Sequence, residues 1–88
     1  MKVLDPSRKF QRDYKRCVLR GLDLSKLEQV LDLLADDKEL PARCRPHRLS
    51  GNWSGYWECH IAPDWLLIYD FDDEFLFLER TGTHADLF

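Results

Sequence analysis

The sequence predicts an α+β fold in which two N-terminal helices cover one face of an antiparallel sheet. Three observations carry that expectation. Apolar residues recur at helical spacing through the first half of the chain. After Pro46 the pattern changes to short runs rich in aromatic and β-branched residues. The breaks between those runs are three or four residues long, the kind of connection that joins antiparallel neighbours. A chain of 88 residues, 44% hydrophobic and 33% charged, sustains one core, so a single domain over residues 1–88 is expected.

Taken in order, residues 2–5 read as a short edge strand. From Arg8 to Arg20, Phe10, Tyr14, Cys17 and Val18 fall on one helical face with bases on the other, and Gly21 supplies the stop. Ser25 and Glu28 form an S-x-x-E pattern that predicts a capping box at the start of the second helix. Leu24, Leu27, Val30, Leu31 and Leu34 then trace its apolar stripe, and Asp36 to Pro41 end it. His47-Arg48-Leu49 leads in as an extended segment. Strands follow at Tyr56–Ile61, Trp65–Asp70 and Phe75–Arg80, so the sheet should have about four strands.

The formal charge of −3 is unevenly distributed. Residues 1–20 carry seven bases against two acids, and residues 41–60 carry three against one. The acid collects in residues 21–40 and 61–88. A basic block can bind phosphate locally while the molecule stays acidic overall. No apolar run approaches the roughly 20 residues that cross a bilayer. The start lacks the apolar stretch of a signal peptide, so the expected location is the cytoplasm, with no membrane partner. Three cysteines without C-x-x-C spacing read as reduced thiols. A zinc set of Cys44, His47, Cys59 and His60 can be written, but its spacing matches no structural zinc pattern.

The polar residues of the sheet half are His47, Glu58, His60, Asp64, Arg80 and His84, beside Trp53, Tyr56, Trp57, Trp65, Tyr69 and Phe88. Cleavage of RNA by its own 2′-hydroxyl needs groups of these kinds: a base, an acid and a cation for the pentavalent phosphorane. Histidine titrates near neutrality, arginine offers a fixed fork for phosphate, and aromatic faces hold unstacked bases. No cofactor or metal is required. Each residue also has a plain structural reading, as a surface histidine, a turn aspartate or a surface ion pair. Composition and spacing alone do not decide between them.

Order decides more than type. Leu49-Ser50-Gly51-Asn52-Trp53-Ser54-Gly55-Tyr56, His60-Ile61-Ala62-Pro63-Asp64-Trp65-Leu66-Leu67-Ile68-Tyr69 and Glu79-Arg80-Thr81-Gly82-Thr83-His84 follow one another. Together they resemble the YafQ branch of the RelE/ParE superfamily, the toxins of bacterial type II toxin–antitoxin modules. The motifs cover about half the chain tightly, and residues 1–44 match in character only. The resemblance implies a RelE-like fold with the two helices on a curved, mainly antiparallel sheet. It implies a ribosome-dependent mRNA interferase that cuts message in the A site and inhibits translation, with catalytic positions at His47, His60, Asp64, Arg80, His84 and Phe88. His84 and Asp64 would manage proton transfer, Arg80 would stabilise the phosphorane, and Phe88 would support a base. The basic positions Arg8, Lys9, Arg12, Lys15, Arg16, Arg43, Arg45 and Arg48 would face RNA or the 70S ribosome. The same positions suit the acidic tail of a cognate antitoxin, typically a ribbon-helix-helix dimer through which alone the complex meets operator DNA. Two rivals remain open at this point: a ParE-type relative that binds DNA gyrase and cuts nothing, and an inert regulatory domain.

Overall fold

Ser7, in extended conformation, accepts a 2.9 Å hydrogen bond from the Phe10 N–H and starts helix α1 (Arg8–Leu19). That hydroxyl satisfies one of the amide donors that a helix start leaves open. Gly21 then takes φ 73°, a left-handed conformation costing a side-chain-bearing residue about 1 kcal/mol or more, and the helix stops where the sequence predicts. Helix α2 (Leu24–Ala35) is capped differently from expectation. Asp23 accepts from the Ser25 N–H at 3.1 Å and from the Ser25 hydroxyl at 2.6 Å. The Ser25–Glu28 capping box is not formed, because an aspartate two residues earlier has taken the capping position and uses the serine as a donor.

The computed structural model describes residues 1–88 and shows a five-stranded sheet rather than four. Its strands are β1 (Val3–Pro6), β2 (His47–Arg48), β3 (Trp57–Ala62), β4 (Trp65–Phe71) and β5 (Phe75–Gly82), in spatial order β1-β5-β4-β3-β2. Strands β2 to β5 pair antiparallel. The 2–5 segment is a strand, shifted by one residue, and it pairs parallel with β5, Val3 opposite Phe75 and Pro6 opposite Leu78. Nothing in a four-residue run announces a partner more than seventy residues away. Register shifts at His60/Ala62 and Ile68/Tyr69 break the ladder, and bulges of this kind bend a sheet.

Side chains alternate across the strands. Cys59, Ile61, Trp65, Leu67, Tyr69, Leu76 and Leu78 join Phe10, Cys17, Leu27, Val30, Ala35 and Cys44 in the core beneath the helices. On the opposite face, Leu66 and Ile68 form a smaller cluster with Leu87, flanked by Leu49, Trp53 and Tyr56. Leu87 belongs to a short helix α3 (His84–Leu87), which lies beyond the last strand the sequence predicts. Thr83 accepts from the Asp86 N–H and Asp86 accepts from the Thr83 N–H, a complete capping box. The T-x-x-D spacing of Thr83 and Asp86 was the available signal.

Strand β1 covers β5 only as far as Leu78. Beyond it the open edge is closed by α1 and its cap: the Ser7 hydroxyl donates to the Glu79 carbonyl at 2.7 Å, and the Asp13 carboxylate accepts from the Thr81 N–H at 3.2 Å. The polar end of β5 is thus locked to the first helix, which matters for Arg80.

Candidate active site

The β3–β4 turn presents Asp64, and the start of α3 presents His84. The His84 Nδ1 stands 2.9 Å from Asp64 Oδ1, and the His84 backbone N–H donates to the same oxygen at 3.2 Å. These bonds hold the Asp64 carboxyl below its ordinary value of 3.8, the side-chain bond being the larger cause. An ionised Asp64 can only accept, so Nδ1 carries the hydrogen and Nε2 is left outward for chemistry. Both side chains are more than half exposed, at 58% and 67%.

Around this pair the open face gathers rings. The His60 ring centre lies 6.2 Å from that of His84, and the Phe88 ring centre lies 6.3 Å from it. Trp53 meets Phe88 edge-on at 6.5 Å and Tyr56 edge-on at 5.7 Å. The floor beneath is the Leu66–Ile68–Leu87 cluster, so the rings rest on rigid strands rather than on a loop. His60, Asp64, His84 and Phe88 are brought together on this face.

Arg80 is placed by a partner that sequence reasoning missed. Its Nε donates to Asp13 Oδ2 at 2.6 Å and its Nη2 to Asp13 Oδ1 at 3.2 Å. The bond raises the guanidinium above its already high ordinary value. Asp13 is 2% exposed, and the surface ion pair with Glu79 that adjacency suggested is not made. A lone aspartate on a basic helical face was the signal. Arg80 shares a shallow cleft with Lys9, Arg12 and Arg16. Thr81, next in the chain, accepts from Trp65 Nε1 at 2.9 Å and donates to the Leu66 carbonyl at 2.7 Å. That buried chain ties the strand following Asp64 to the strand carrying Arg80.

His47 is not brought to His84 by any contact. It sits on the edge strand β2 opposite Glu58, its Nε2 3.3 Å from the buried Glu58 carboxylate and its Nδ1 2.9 Å from the Arg45 carbonyl. Glu58 shares the open face with His60, two residues on. The second basic block divides. Arg43 and Arg45 line a hollow with His60, whereas Arg48 stacks over Trp57 at 5.5 Å on the helix-side face. Arg8 and Lys15 are exposed on α1.

The four donors of the paper zinc set are split. Cys44 and Cys59 are buried in the helix-side core, where burial pushes the Cys59 thiol far up, while His47 and His60 face the other way. Consecutive residues of one strand, Cys59 and His60, cannot both point at one ion.

The family model of the YafQ bacterial toxin of type II toxin–antitoxin systems matches residues 2–88. The mRNA interferase toxin YafQ of Escherichia coli K12 is 42% identical over 86 residues, spanning 97% of this chain and 94% of its own. The crystal structure of YafQ from E. coli BL21(DE3) superimposes with a TM-score of 0.93 at 39% identity, over 100% of this chain and 99% of that one. The toxin in the E. coli DinJ–YafQ toxin–antitoxin complex matches with a TM-score of 0.90 at 41% identity, over 99% and 97%.

Proposed function

The chain belongs to the YafQ family of type II toxin–antitoxin toxins, and from that premise we propose that it is an mRNA interferase that cuts message held in the ribosomal A site. The observation that carries the chemistry is the Asp64–His84 pair, oriented with Nε2 outward beside His60. In the reaction the 2′-oxygen attacks the adjacent phosphorus as its proton leaves to a base. The bond from phosphorus to the 5′-oxygen then breaks as an acid protonates that oxygen. Atoms and charge balance without a metal, leaving a 2′,3′-cyclic phosphate and a free 5′-hydroxyl.

His84 moves a proton at Nε2, held by Asp64, and His60 stands where a second proton-transfer group is needed. Arg80, clamped on β5, supplies fixed positive charge for the phosphorane. Phe88 and Trp53 offer faces for an unstacked base. His47, held by Glu58 at the sheet edge, flanks the site. Arg43 and Arg45 beside His60 follow the message backbone. Arg8, Lys9, Arg12, Lys15 and Arg16 meet ribosomal phosphates, and Arg48 contributes from the opposite face. With only part of its surface basic and its catalytic pair exposed, the protein depends on the ribosome to present and cover the substrate. The site therefore acts in the cytoplasm, with residues 1–88 working as one domain.

The E. coli relative is seen in complex with the antitoxin DinJ. By the same logic this toxin is silenced by a cognate antitoxin, a ribbon-helix-helix dimer whose acidic segment covers the basic surface and which brings the complex to operator DNA. The test is to induce the protein without an antitoxin and score both transcript cleavage and DNA-damage signalling. Cleavage that His84→Ala abolishes supports the reading. DNA damage without cleavage turns it toward gyrase.

A further inference from the structure

We propose that Asp13 is a positioning residue for the cleavage reaction, aiming the guanidinium of Arg80 at the reacting phosphate; the proposal rests on the ribonuclease reading above. The argument is geometric. Asp13 engages Arg80 side-on, through Nε and the near hydrogen of Nη2. That leaves Nη1 and the far hydrogen of Nη2 as an end-on fork, and Nη1 makes no hydrogen bond in the structure. The end-on fork is the edge that grips two phosphate oxygens at once. Arg80 alone could turn about its side-chain bonds. With Asp13 in place it cannot, because the same carboxylate is fixed by the Thr81 N–H at 3.2 Å.

Asp13 is itself held in register. It is 2% exposed and lies on α1, whose start is bound to the Glu79 carbonyl through Ser7. Arg16 reaches Asp13 at 3.6 Å and Asp86 at 3.3 Å, and Asp86 caps the helix that carries His84. One chain of ionic contacts therefore connects the aim of Arg80 to the seat of His84. Lys9, Arg12 and Arg16 line the Arg80 cleft and restore the positive potential that a buried carboxylate removes. A purely structural ion pair would have no need of those three bases around it.

The experiment measures steady-state cleavage of message-programmed ribosomes, held in excess, by the full chain, at a temperature where circular dichroism shows each variant folded. Asp13→Asn keeps an acceptor for the Thr81 N–H but turns a donor toward Nη2, so the fork swings away. The expected result is a fall in kcat on the order of 10- to 100-fold with KM changed less than about 2-fold. In Arg80→Lys, which keeps a cation but has no fork, Asp13→Asn is expected to cost nothing further. Asp13→Glu keeps the charge and shifts it by one methylene. It should lower kcat roughly 3- to 10-fold, and it serves as the readout if Asp13→Asn does not fold. A folded Asp13 variant with undiminished kcat, or an equal loss from Asp13→Asn in the Arg80→Lys background, overturns the positioning role alone. A wild-type protein that cuts no message overturns the functional reading together with it.

Discussion

At the residue scale, the site depends on which nitrogen of one imidazole is free. Asp64 is kept ionised by His84 and fixes the tautomer of that ring in return. His84→Ala should lower the cleavage rate by roughly 10²- to 10⁴-fold, the range for loss of a proton-transfer group. The fold should survive, because the His84 side chain is 58% exposed. Asp64→Asn leaves the ring but loosens it, and a smaller fall of about 10-fold or more is expected, read as kcat at saturating ribosomes. Equal activity of Asp64→Asn and wild type would mean that His84 orients itself. The residues proposed for this site could be named from the sequence because their order in three motifs resembles a known family. Asp13 was harder to read, because its one sign, a lone acid on a basic helical face, looks like an ordinary surface residue until the fold buries it against β5.

At the element scale, α3 is the piece the sequence concealed. Four residues are too few to show helical periodicity, and the Thr83–Asp86 cap was the only local sign. Its geometry explains the glycine in Thr81-Gly82-Thr83. Gly82 sits at φ 153°, and a Cβ there would stand 2.8 Å from Asp86 Oδ2 and 3.0 Å from Asp86 Cβ. Gly82→Ala must push Asp86 off its cap, and with it the seat of His84. The expected outcome is a lower kcat and a loss of the slow amide exchange of Leu87, followed by hydrogen exchange. Asp86 also contributes to the acid response, beside Asp23, Asp64 and Asp72. Hydrogen bonds from Arg20 first, and then from the Thr83 backbone, hold its carboxyl far below the ordinary 3.8. A depressed carboxyl contributes stability that is present above its unfolded value and lost as pH falls toward the folded one. Melting temperature should therefore decline as pH drops through and below 3.8, and Asp86→Asn should flatten that decline. An unchanged acid profile in Asp86→Asn would place the acid sensitivity elsewhere. The two long helices and three main strands were legible because periodicity over six or more residues reports burial directly. The parallel pairing of β1 was not, since strand partners are chosen by the assembled sheet.

At the scale of the whole molecule, a formal charge of −3 conceals two basic surfaces that the fold separates. One lies along α1 around Arg80, and the other beside His60 from Arg43 and Arg45. Arg48, a neighbour in sequence, is turned to the opposite face by strand alternation and held over Trp57. Arg43→Glu with Arg45→Glu should therefore weaken ribosome binding strongly and flatten its salt dependence, while Arg48→Glu does much less. Equal effects from the two sets would show that the facing of the sheet does not matter to RNA. The sheet itself must be rigid for the two faces to hold position. Leu67→Ala, at a fully buried point of β4, should cost about 2–5 kcal/mol in denaturant unfolding. The most direct test of a His84-centred ribonuclease is the map of 5′ ends on ribosome-bound message after induction, wild type against His84→Ala. Cuts confined to the A-site codon and absent in His84→Ala are the expected result. Cuts that persist in His84→Ala, or growth arrest by wild type without cuts, would contradict it.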